Sequence, residues 1–550
     1  MTTGRYMKTT GRRMKRRPSR RRAALLGALV VASAALSTSA TAAGGHGPAP
    51  APIAGAQWAM GGHDLHDTRD QAAETILGPA TMGDLAPAWT FTTGGDVSAT
   101  PLVAGGAVYI PDWSGHLYKV DARTGRAVWS RTIARLSGMK DAISRVTPAL
   151  LGNTLYLGDQ GRVITAPHPG AHILAVDAAT GALRWSTAVT DPPAAEITSS
   201  PVAYGGRVFV GVSSSEEDLA ARPGYRCCVF RGRVLALDAA TGKILWRAYT
   251  VPPGYNGASV WGSTPVIDTK RGLLYATTGN AYRVPPAVAA CQNAGKAGCL
   301  PPAVHIDSII ALDLATGALR WAARFSDADA WNVACNGNGA GIANCPAPQG
   351  PDFDFGQGPI LFTATVGGRA RDLLGAGQKS GVYWALDPDT GAVVWSTRVG
   401  PGGVTGGIQW GSATDGRRVY VADANSGHAP QALVPSGRTI SGGSWSALDA
   451  ATGKVLWQTA DPSGSADPGA VTVANGVVYA GSMDAVGHMY ALDAATGRIL
   501  WRFASGGSVA SGAAVVDGRV YWGSGYEHLN TAAGKVGTAN DKLYAFSRPR

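Results

Sequence analysis

Two adjacent cysteines, Cys227 and Cys228 in "GYRCCVFRG", are the residues whose type and spacing first suggest chemistry. Four more cysteines follow in two close pairs, and thiols in an oxidising compartment are mostly paired. Two separate thiols at 227 and 228, or cross-pairing with the other four, are the alternatives. No Cys-x-x-Cys-His sequence for covalent haem and no zinc-type Cys/His spacing occurs. The spacing favours three local disulfides: Cys227–Cys228, Cys291–Cys299 and Cys335–Cys345.

The first 42 residues predict an export signal. Residues 5 to 22 contain ten Lys or Arg and no acid, residues 23 to 36 form an apolar run, and Ala40-Thr41-Ala42 offers a cleavage site. The apolar run is too short for a stable membrane span. We therefore expect a secreted or periplasmic chain, exported by the Sec or the twin-arginine route.

The positive charge of the chain is concentrated in that leader. The formal net charge is +11, and it falls to about +1 once the ten basic residues of the leader are left out. No basic excess remains to attract a polyanion. The sequence therefore predicts no nucleic-acid partner.

One short pattern recurs along the chain. Seven full copies resemble "VLALDAATGKILW" (234 to 246), and an eighth is split between "KLYAFSRPR" at the C terminus and "LAPAWTFTTGG" (85 to 95). The apolar alternation before Asp predicts a strand. Asp-x-x-Thr-Gly predicts a hairpin turn with Gly at positive φ, and the segment with Trp predicts the next strand.

This repeat predicts an all-β, eight-bladed β-propeller over residues 85–550, after a lead-in segment at 43–84. The Trp of each unit is expected to dock between neighbouring blades. The split copy closes the ring with strands from both ends, which removes exposed strand edges. Residues that recur in every unit build the scaffold, so we expect function in the insertions at 213–233, 280–308 and 326–358.

The pattern Ala-x-Asp-x-x-Thr-Gly-x-x-x-Trp resembles the tryptophan-docking motif of the quinoprotein alcohol dehydrogenases. These periplasmic propellers hold pyrroloquinoline quinone (PQQ) and a metal ion on the central axis. Non-catalytic propellers, such as the lipoprotein scaffold for outer-membrane protein assembly, share the repeat, so the catalytic hypothesis depends on residues outside it. Three segments are similar to the polyvinyl alcohol dehydrogenase branch: "WTFTTGGDVSATP" (89 to 101), "CCVFRG" (227 to 232) and "PDFDFG" (351 to 356).

The resemblance implies a metal site for calcium or a lanthanide, and hard cations of this kind prefer oxygen ligands. In "GVSSSEE" it places a ligand at Glu216, with Glu217 as second choice. In "LLYATTGN" it places one at Asn280. Asp354 matches an additional ligand of lanthanide-using members. The expected ligand set is Glu216, Asn280, Asp352 and Asp354.

The resemblance also implies a catalytic base at Asp352 in "PDFDFG". The sequence departs from the family here, because a Trp-Asp pair is expected and the chain instead has "DADAWN" followed by a loop. Asp329 in that segment is therefore a rival base.

For the quinone, the resemblance implies a stacking floor, cations for its carboxylates and hydrogen bonds at its rim. Trp261 lies outside the docking repeat and matches the floor. The Cys227–Cys228 pair matches the "CC-x-FRG" of the polyvinyl alcohol branch and is expected to hold a loop rigid over the propeller mouth. The other expected contacts are Arg145 beside a carboxylate, Thr198 and Ser213 at the rim, Lys379 on a quinone oxygen, and Asn425 and Asp96 as further polar groups.

These parts predict an alcohol dehydrogenase. Asp352 takes the alcohol proton, hydride passes to the quinone, and Lys379 stabilises the charge that develops there. Electrons then pass to an external acceptor such as a cytochrome c. The resemblance implies a substrate with hydroxyl groups, for which polyvinyl alcohol and other secondary alcohols are the candidates. The alternatives are a non-catalytic scaffold and a propeller that binds a sugar or polymer.

Overall fold

A computed structural model of the protein describes residues 57–163, 166–189, 191, 194–262, 264–337, 342–531 and 534–549. The expected export signal at 1–42 lies outside the described residues. In the described part of the chain, no helix is long and apolar enough to cross a membrane.

Eight antiparallel sheets, seven of four strands and one of five, dominate the described chain, which confirms the eight-bladed all-β propeller. In sheet order, blade 1 comprises Leu102–Ala104, Ala107–Pro111, His116–Asp121 and Ala127–Thr132; blade 2 comprises Ala149–Leu151, Thr154–Gly158, Ala171–Asp177 and Leu183–Val189; blade 3 comprises Val202–Tyr204, Arg207–Ser214, Arg233–Asp238 and Ile244–Tyr249; and blade 4 comprises Val266–Asp268, Leu273–Thr277, Ser308–Asp313 and Leu319–Arg324.

The last blade is built from both ends of the chain. Ala86–Thr92 pairs antiparallel with Lys542–Ser547, so the ring closes as the split repeat predicted. Blade 5 comprises Ile360–Val366, Arg369–Gly377, Val382–Leu386 and Val393–Arg398; blade 6 comprises Ala413–Thr414, Arg418–Asp423, Ser444–Asp449 and Val455–Ala460; blade 7 comprises Thr472–Ala474, Val477–Gly481, His488–Asp493 and Ile499–Ala504; and blade 8 comprises Ala514–Val516, Arg519–Ser524, Lys542–Ser547 and Ala86–Thr92.

Short elements lie in the connections between these strands. The helices are Ile133–Ser137, Glu216–Leu219 and Pro286–Asn293, with 3-10 turns at Met82–Asp84, Val333–Asn336 and Ile342–Asn344. The short strands are Ala142–Ile143 with Gln160–Gly161, Gln431–Ala432 with Thr439–Ile440, Leu529–Thr531 with Gly534–Val536, and Ala195–Glu196 on the end of Arg207–Ser214.

The repeated residues build the contact between blades. In blade 6, Asp449 accepts hydrogen bonds from the backbone N–H (2.9 Å) and the hydroxyl (2.7 Å) of Thr452, which folds the turn. Gly453 follows with φ 72°, and a Cβ there would lie 2.3 Å from the ring of Trp395 in blade 5. The Trp395 indole N–H donates to Ala450 O at 3.2 Å. Glycine is thus required both for the turn and for the docked indole.

Seven of the eight expected docking tryptophans donate their indole N–H to a backbone carbonyl at the next blade of the ring. Trp246 packs on Gly317 in the same way. Its N–H has no hydrogen-bond partner among the described residues. Trp246 thus keeps the aromatic docking contact without the hydrogen bond.

Residues 57–71 of the lead-in segment run against the inner strands and are called the axial segment below. Trp58 exchanges two backbone hydrogen bonds with blade 1, and Arg69 donates from its guanidinium to Val471 O, Gly61 O and Thr100 Oγ1 at 2.8–2.9 Å. The segment thereby ties blades 1, 2, 4, 5, 6, 7 and 8 together at one end of the axis. Its partners in these inner strands are Val103, Leu150, Ile267, Leu361, Thr414, Val473 and Val515.

The three insertions at 213–233, 280–308 and 326–358 contact one another and are called the cap below. Asn344 donates from its amide to Ala220 O and Tyr225 O, each at 2.9 Å. Asn332 donates to Tyr282 O at 3.0 Å, and the Arg283 guanidinium donates to Cys227 O at 2.6 Å. The three local disulfides all form, and all lie within the cap: Cys227–Cys228, Cys291–Cys299 and Cys335–Cys345.

Candidate active site

A cavity lies on the propeller axis, where the chain enters the inner strand of each blade. Arg69 and Gly61 of the axial segment lie at its wall. Every blade contributes to the lining: Thr100, Thr147, Ser200, Trp261, Gly356, Trp410, Ala470 and Gly512.

Beside this cavity, Lys379 forms an ion pair with two aspartates of the "PDFDFG" segment. Its ammonium lies 3.2 and 3.1 Å from the carboxylate oxygens of Asp352 and 3.7 Å from Asp354 Oδ2. It also lies 5.2 Å from the ring centre of Trp261. All three charged side chains are buried. The structure thus brings together the expected base, the expected quinone cation and the expected floor.

Asp354 links Trp261 to Asn280. Its Oδ2 accepts from the Trp261 indole N–H and its Oδ1 from the Asn280 backbone N–H, both at 2.7 Å. The side-chain nitrogen of Asn280 donates to Trp331 O at 3.0 Å. The oxygen of this amide is therefore the atom that the side chain can offer to a cation.

Asp329, the rival base, holds the backbone of the "PDFDFG" segment. Its two oxygens accept from the N–H groups of Asp352 (2.9 Å) and Phe353 (2.6 Å). Asp352 itself has φ 61°, a conformation that few residues other than Gly adopt. Asp329 thus positions Asp352, while Asp352 carries its carboxylate to Lys379.

Burial and mutual repulsion raise the pKa values of these acids. Burial raises the pKa of Asp352 well above its usual range against the pull of Lys379, and the charges of Asp354, Glu217 and Asp329 raise it further. Burial also raises the pKa of Asp329 to about 6, although two backbone N–H groups lower it. Burial opposes the charge of Lys379, yet the surrounding carboxylates raise its pKa and keep it protonated.

The two glutamates of "GVSSSEE" have different surroundings. Glu216 is 1% exposed, and its carboxylate accepts from Tyr225 OH (2.9 Å), Val229 N (2.8 Å) and Phe230 N (2.7 Å). It therefore holds the loop that carries the cysteine pair. Burial raises the pKa of Glu217 well above its usual range, and the charges that act on it most strongly are those of Asp354, which raises the pKa, and Lys379, which lowers it. The second-choice ligand is thus the one that shares the electrostatic environment of the expected metal site.

Two further predicted residues, Thr198 and Arg145, line the cavity, and a third, Ser213, bonds to Thr198. The Thr198 hydroxyl donates to Trp261 O at 3.2 Å and to Ser213 Oγ at 3.3 Å. Arg145 lines the same cavity with its guanidinium 5.8 Å from the ring centre of Trp113.

Four residues predicted to contact the quinone are engaged elsewhere in the structure. Both ends of the Asn425 amide bond backbone groups of its own loop, Ala429 and Gly442. Asp96 accepts from the backbone N–H groups of residues 527 and 540. Cys227 and Cys228 pack in an apolar cluster formed by the cap together with strands of blades 2 and 3. None of the four is among the described residues that line the cavity.

The sequence matches the PQQ_2 family model, described as "Outer membrane protein assembly factor BamB", over residues 84–277, 305–468 and 441–541. It is 31% identical to the polyvinylalcohol dehydrogenase of Pseudomonas sp, across 89% of this chain and 77% of that protein. It is 32% identical to that of Sphingopyxis sp. (strain 113P3), across 79% and 66%. The chain belongs to the quinoprotein alcohol dehydrogenase family. It is therefore classed as a PQQ-dependent alcohol dehydrogenase.

The fold agrees with this membership. The crystal structure of the quinohemoprotein alcohol dehydrogenase from Comamonas testosteroni matches 90% of this chain and 81% of that one, with a TM-score of 0.67 and 20% identity.

Sequence reasoning missed two aromatic residues of this quinoprotein that line the cavity. Trp410 and Tyr526 both do so, with ring centres 5.3 Å apart. Trp410 has φ 40° and, like Trp261, lies outside the docking repeat. The criterion that singled out Trp261 could therefore have found Trp410 as well. Tyr526 carries no such signal, because it follows an ordinary strand of blade 8.

Proposed function

We propose that this chain uses PQQ and a calcium or lanthanide ion to oxidise secondary hydroxyl groups, those of polyvinyl alcohol included, and passes the electrons to an external acceptor such as a cytochrome c. The observation that supports this most is the buried Asp352–Lys379–Asp354 cluster beside Trp261 on the propeller axis. A scaffold has no need of such a cluster, because buried charges are costly. Export through the leader at 1–42 belongs to the same proposal.

The donor chemistry fits a hard cation. Asp352, Asp354 and the amide oxygen of Asn280 are oxygen donors of the kind calcium and lanthanides prefer, and Glu217 shares their environment. We propose Glu217 as a ligand in place of Glu216, whose oxygens already accept three hydrogen bonds. The Lys379 ammonium lies among these carboxylates and supplies the positive charge that a bound metal ion would supply there. Among the described residues, no group of three or more Asp, Glu, His or Cys side chains is placed to hold a metal ion, so the fit is one of donor type.

The chain's own residues provide the rest of the chemistry. A bound PQQ supplies the hydride acceptor, and a bound metal ion supplies a Lewis acid. Asp352 accepts the proton of the alcohol hydroxyl as general base. Lys379 supplies positive charge where negative charge develops. The Trp261 indole offers a flat apolar surface for stacking, and the Arg145 guanidinium attracts carboxylates.

The test is reconstitution. The purified, chelator-treated protein is titrated with PQQ in the presence of calcium or a lanthanide, and alcohol-dependent dye reduction is measured with polyvinyl alcohol and with small secondary alcohols. We expect micromolar or tighter cofactor binding and turnover. Absence of cofactor binding would favour the scaffold alternative, which the description of the matched family model suggests.

Asp352→Asn tests the base in the same assay. We expect it to retain most PQQ binding and to lose turnover by roughly 10²–10⁴-fold. Asp517→Asn is the matched control, because Asp517 also has positive φ (49°) but is exposed in a hairpin of blade 8. Near-normal turnover in Asp352→Asn would move the role of the base to another group.

A further inference from the structure

The acids of the candidate site outnumber its cations. Three of them, Glu217, Asp352 and Asp354, act electrostatically on Lys379, and two more, Asp307 and Asp329, lie within the same electrostatic environment. Asp307 is fully buried, and neither of its carboxylate oxygens has a hydrogen-bond partner among the described residues. Lys379 is the cation that all five carboxyl groups share. Like charges buried this closely cannot all ionise without compensation.

A backbone hydrogen bond and the side-chain contacts together fix the position of the Lys379 ammonium. The Lys379 backbone N–H donates to Asp354 O at 2.9 Å, which ties its strand end to the "PDFDFG" segment. The side chain then spans the face of Trp261 and places Nζ between the carboxylates of Asp352 and Asp354. Because both carboxylates belong to the proposed ligand set, the ammonium and a metal ion compete for the same oxygens.

We propose that Lys379 is an internal counter-ion that holds the acids together in the metal-free protein and weakens the binding of the metal. This inference rests on the metal site of the proposed function. It gives Lys379 a positioning role in addition to its action on the quinone. Removal of the ammonium has two opposite consequences. The metal-free fold loses the charge that offsets its buried acids, and a metal ion bound to those acids no longer meets a neighbouring positive charge.

The experiment uses chelator-treated full-length protein and needs neither PQQ nor activity. Terbium(III) is titrated against the wild type and Lys379→Gln, its luminescence is sensitised by tryptophan, and calcium competition gives the calcium affinity. Thermal unfolding without metal is measured in parallel. We expect Lys379→Gln to bind both ions roughly tenfold or more tightly and to unfold at a lower temperature without metal. Lys379→Arg retains the charge and should show no gain in affinity, and Lys454→Gln, at an exposed position, should match the wild type in both assays.

A double variant covers the case in which Lys379→Gln does not fold. In Lys379→Gln/Asp307→Asn the cation is removed together with a fully buried carboxyl that has no hydrogen-bond partner among the described residues, so we expect much of the lost thermal stability to return and the tighter metal binding to remain. Unchanged or weaker metal affinity in a folded Lys379 variant, or no recovery in the double variant, overturns the inference. If the wild type and all variants fail to bind either ion, the metal site of the proposed function falls, and the inference falls with it.

Discussion

At the scale of single residues, the glycine of the docking turn in blade 6 is constrained by two neighbours at once. Gly453 has φ 72°, and a Cβ there would lie 2.3 Å from Trp395 and 2.7 Å from Thr397 Oγ1. We expect Gly453→Ala to reduce the free energy of unfolding by about 2–4 kcal/mol, from backbone strain and overpacking together. Chemical denaturation measures this change.

Gly437→Ala separates the two causes. Gly437 has a similar φ of 67°, and a Cβ there would meet nothing within 4 Å. This control should therefore lose only the strain energy, about 1 kcal/mol. Equal losses in the two variants would show that the docked indole moves aside without cost.

Residue roles at the site were only partly predictable from the sequence. Asp352, Lys379 and Trp261 meet as the resemblance implied, because their segments enter the axis at equivalent strand ends. The position of a segment at a strand end does not distinguish adjacent residues such as Glu216 and Glu217. Which of the two faces the axis depends on where a short helix begins, and here Glu216 is held by N–H groups 13 and 14 residues further along the chain.

At the scale of elements, the cap is held by polar side chains that bond to backbone groups across its three insertions. We expect Glu216→Gln to weaken the loop that carries the cysteine pair, because hydrogen bonds to a charged acceptor contribute about 1.5–3 kcal/mol each. Hydrogen exchange at Val229 and Phe230 should then become at least about tenfold faster.

Glu217→Gln is the matched variant, and it should leave that exchange unchanged while weakening terbium binding. The opposite pattern, with Glu216→Gln losing metal affinity and Glu217→Gln retaining it, would restore the ligand that the sequence favoured. Peptide-resolved exchange and the terbium titration together decide between the two glutamates.

At the scale of the whole molecule, ring closure depends on one strand pair from opposite ends of the chain. A chain that stops at Asp541 lacks Lys542–Ser547, so Ala86–Thr92 and Arg519–Ser524 both lose their partner. We expect this variant to be unfolded or aggregated, because open strand edges invite association. Size-exclusion chromatography and circular dichroism measure the outcome.

The control for this truncation stops at Ser547, which removes only the three residues after the last strand. It should remain monodisperse and unfold near the wild-type temperature. A folded, monodisperse chain that stops at Asp541 would show that seven blades suffice without closure.

The ring itself was predictable because one pattern occurs seven times in full, and each copy predicts two strands and the turn between them. The axial segment was not, since its partners are mainly backbone groups of inner strands far away in sequence. Nothing in the composition of residues 57–71 indicates that they belong at the base of the cavity. Only the tertiary contacts of Trp58 and Arg69 show it.

The axial segment also has a consequence for the order of folding. It is synthesised before all of its strand partners, yet it bonds to Val473 and Val515, which are among the last residues to be made. Contacts of such long sequence separation raise the contact order and slow folding. The first blades can therefore form before the axial segment has all of its hydrogen bonds. The last blades to form complete both the ring and the contacts of the axial segment.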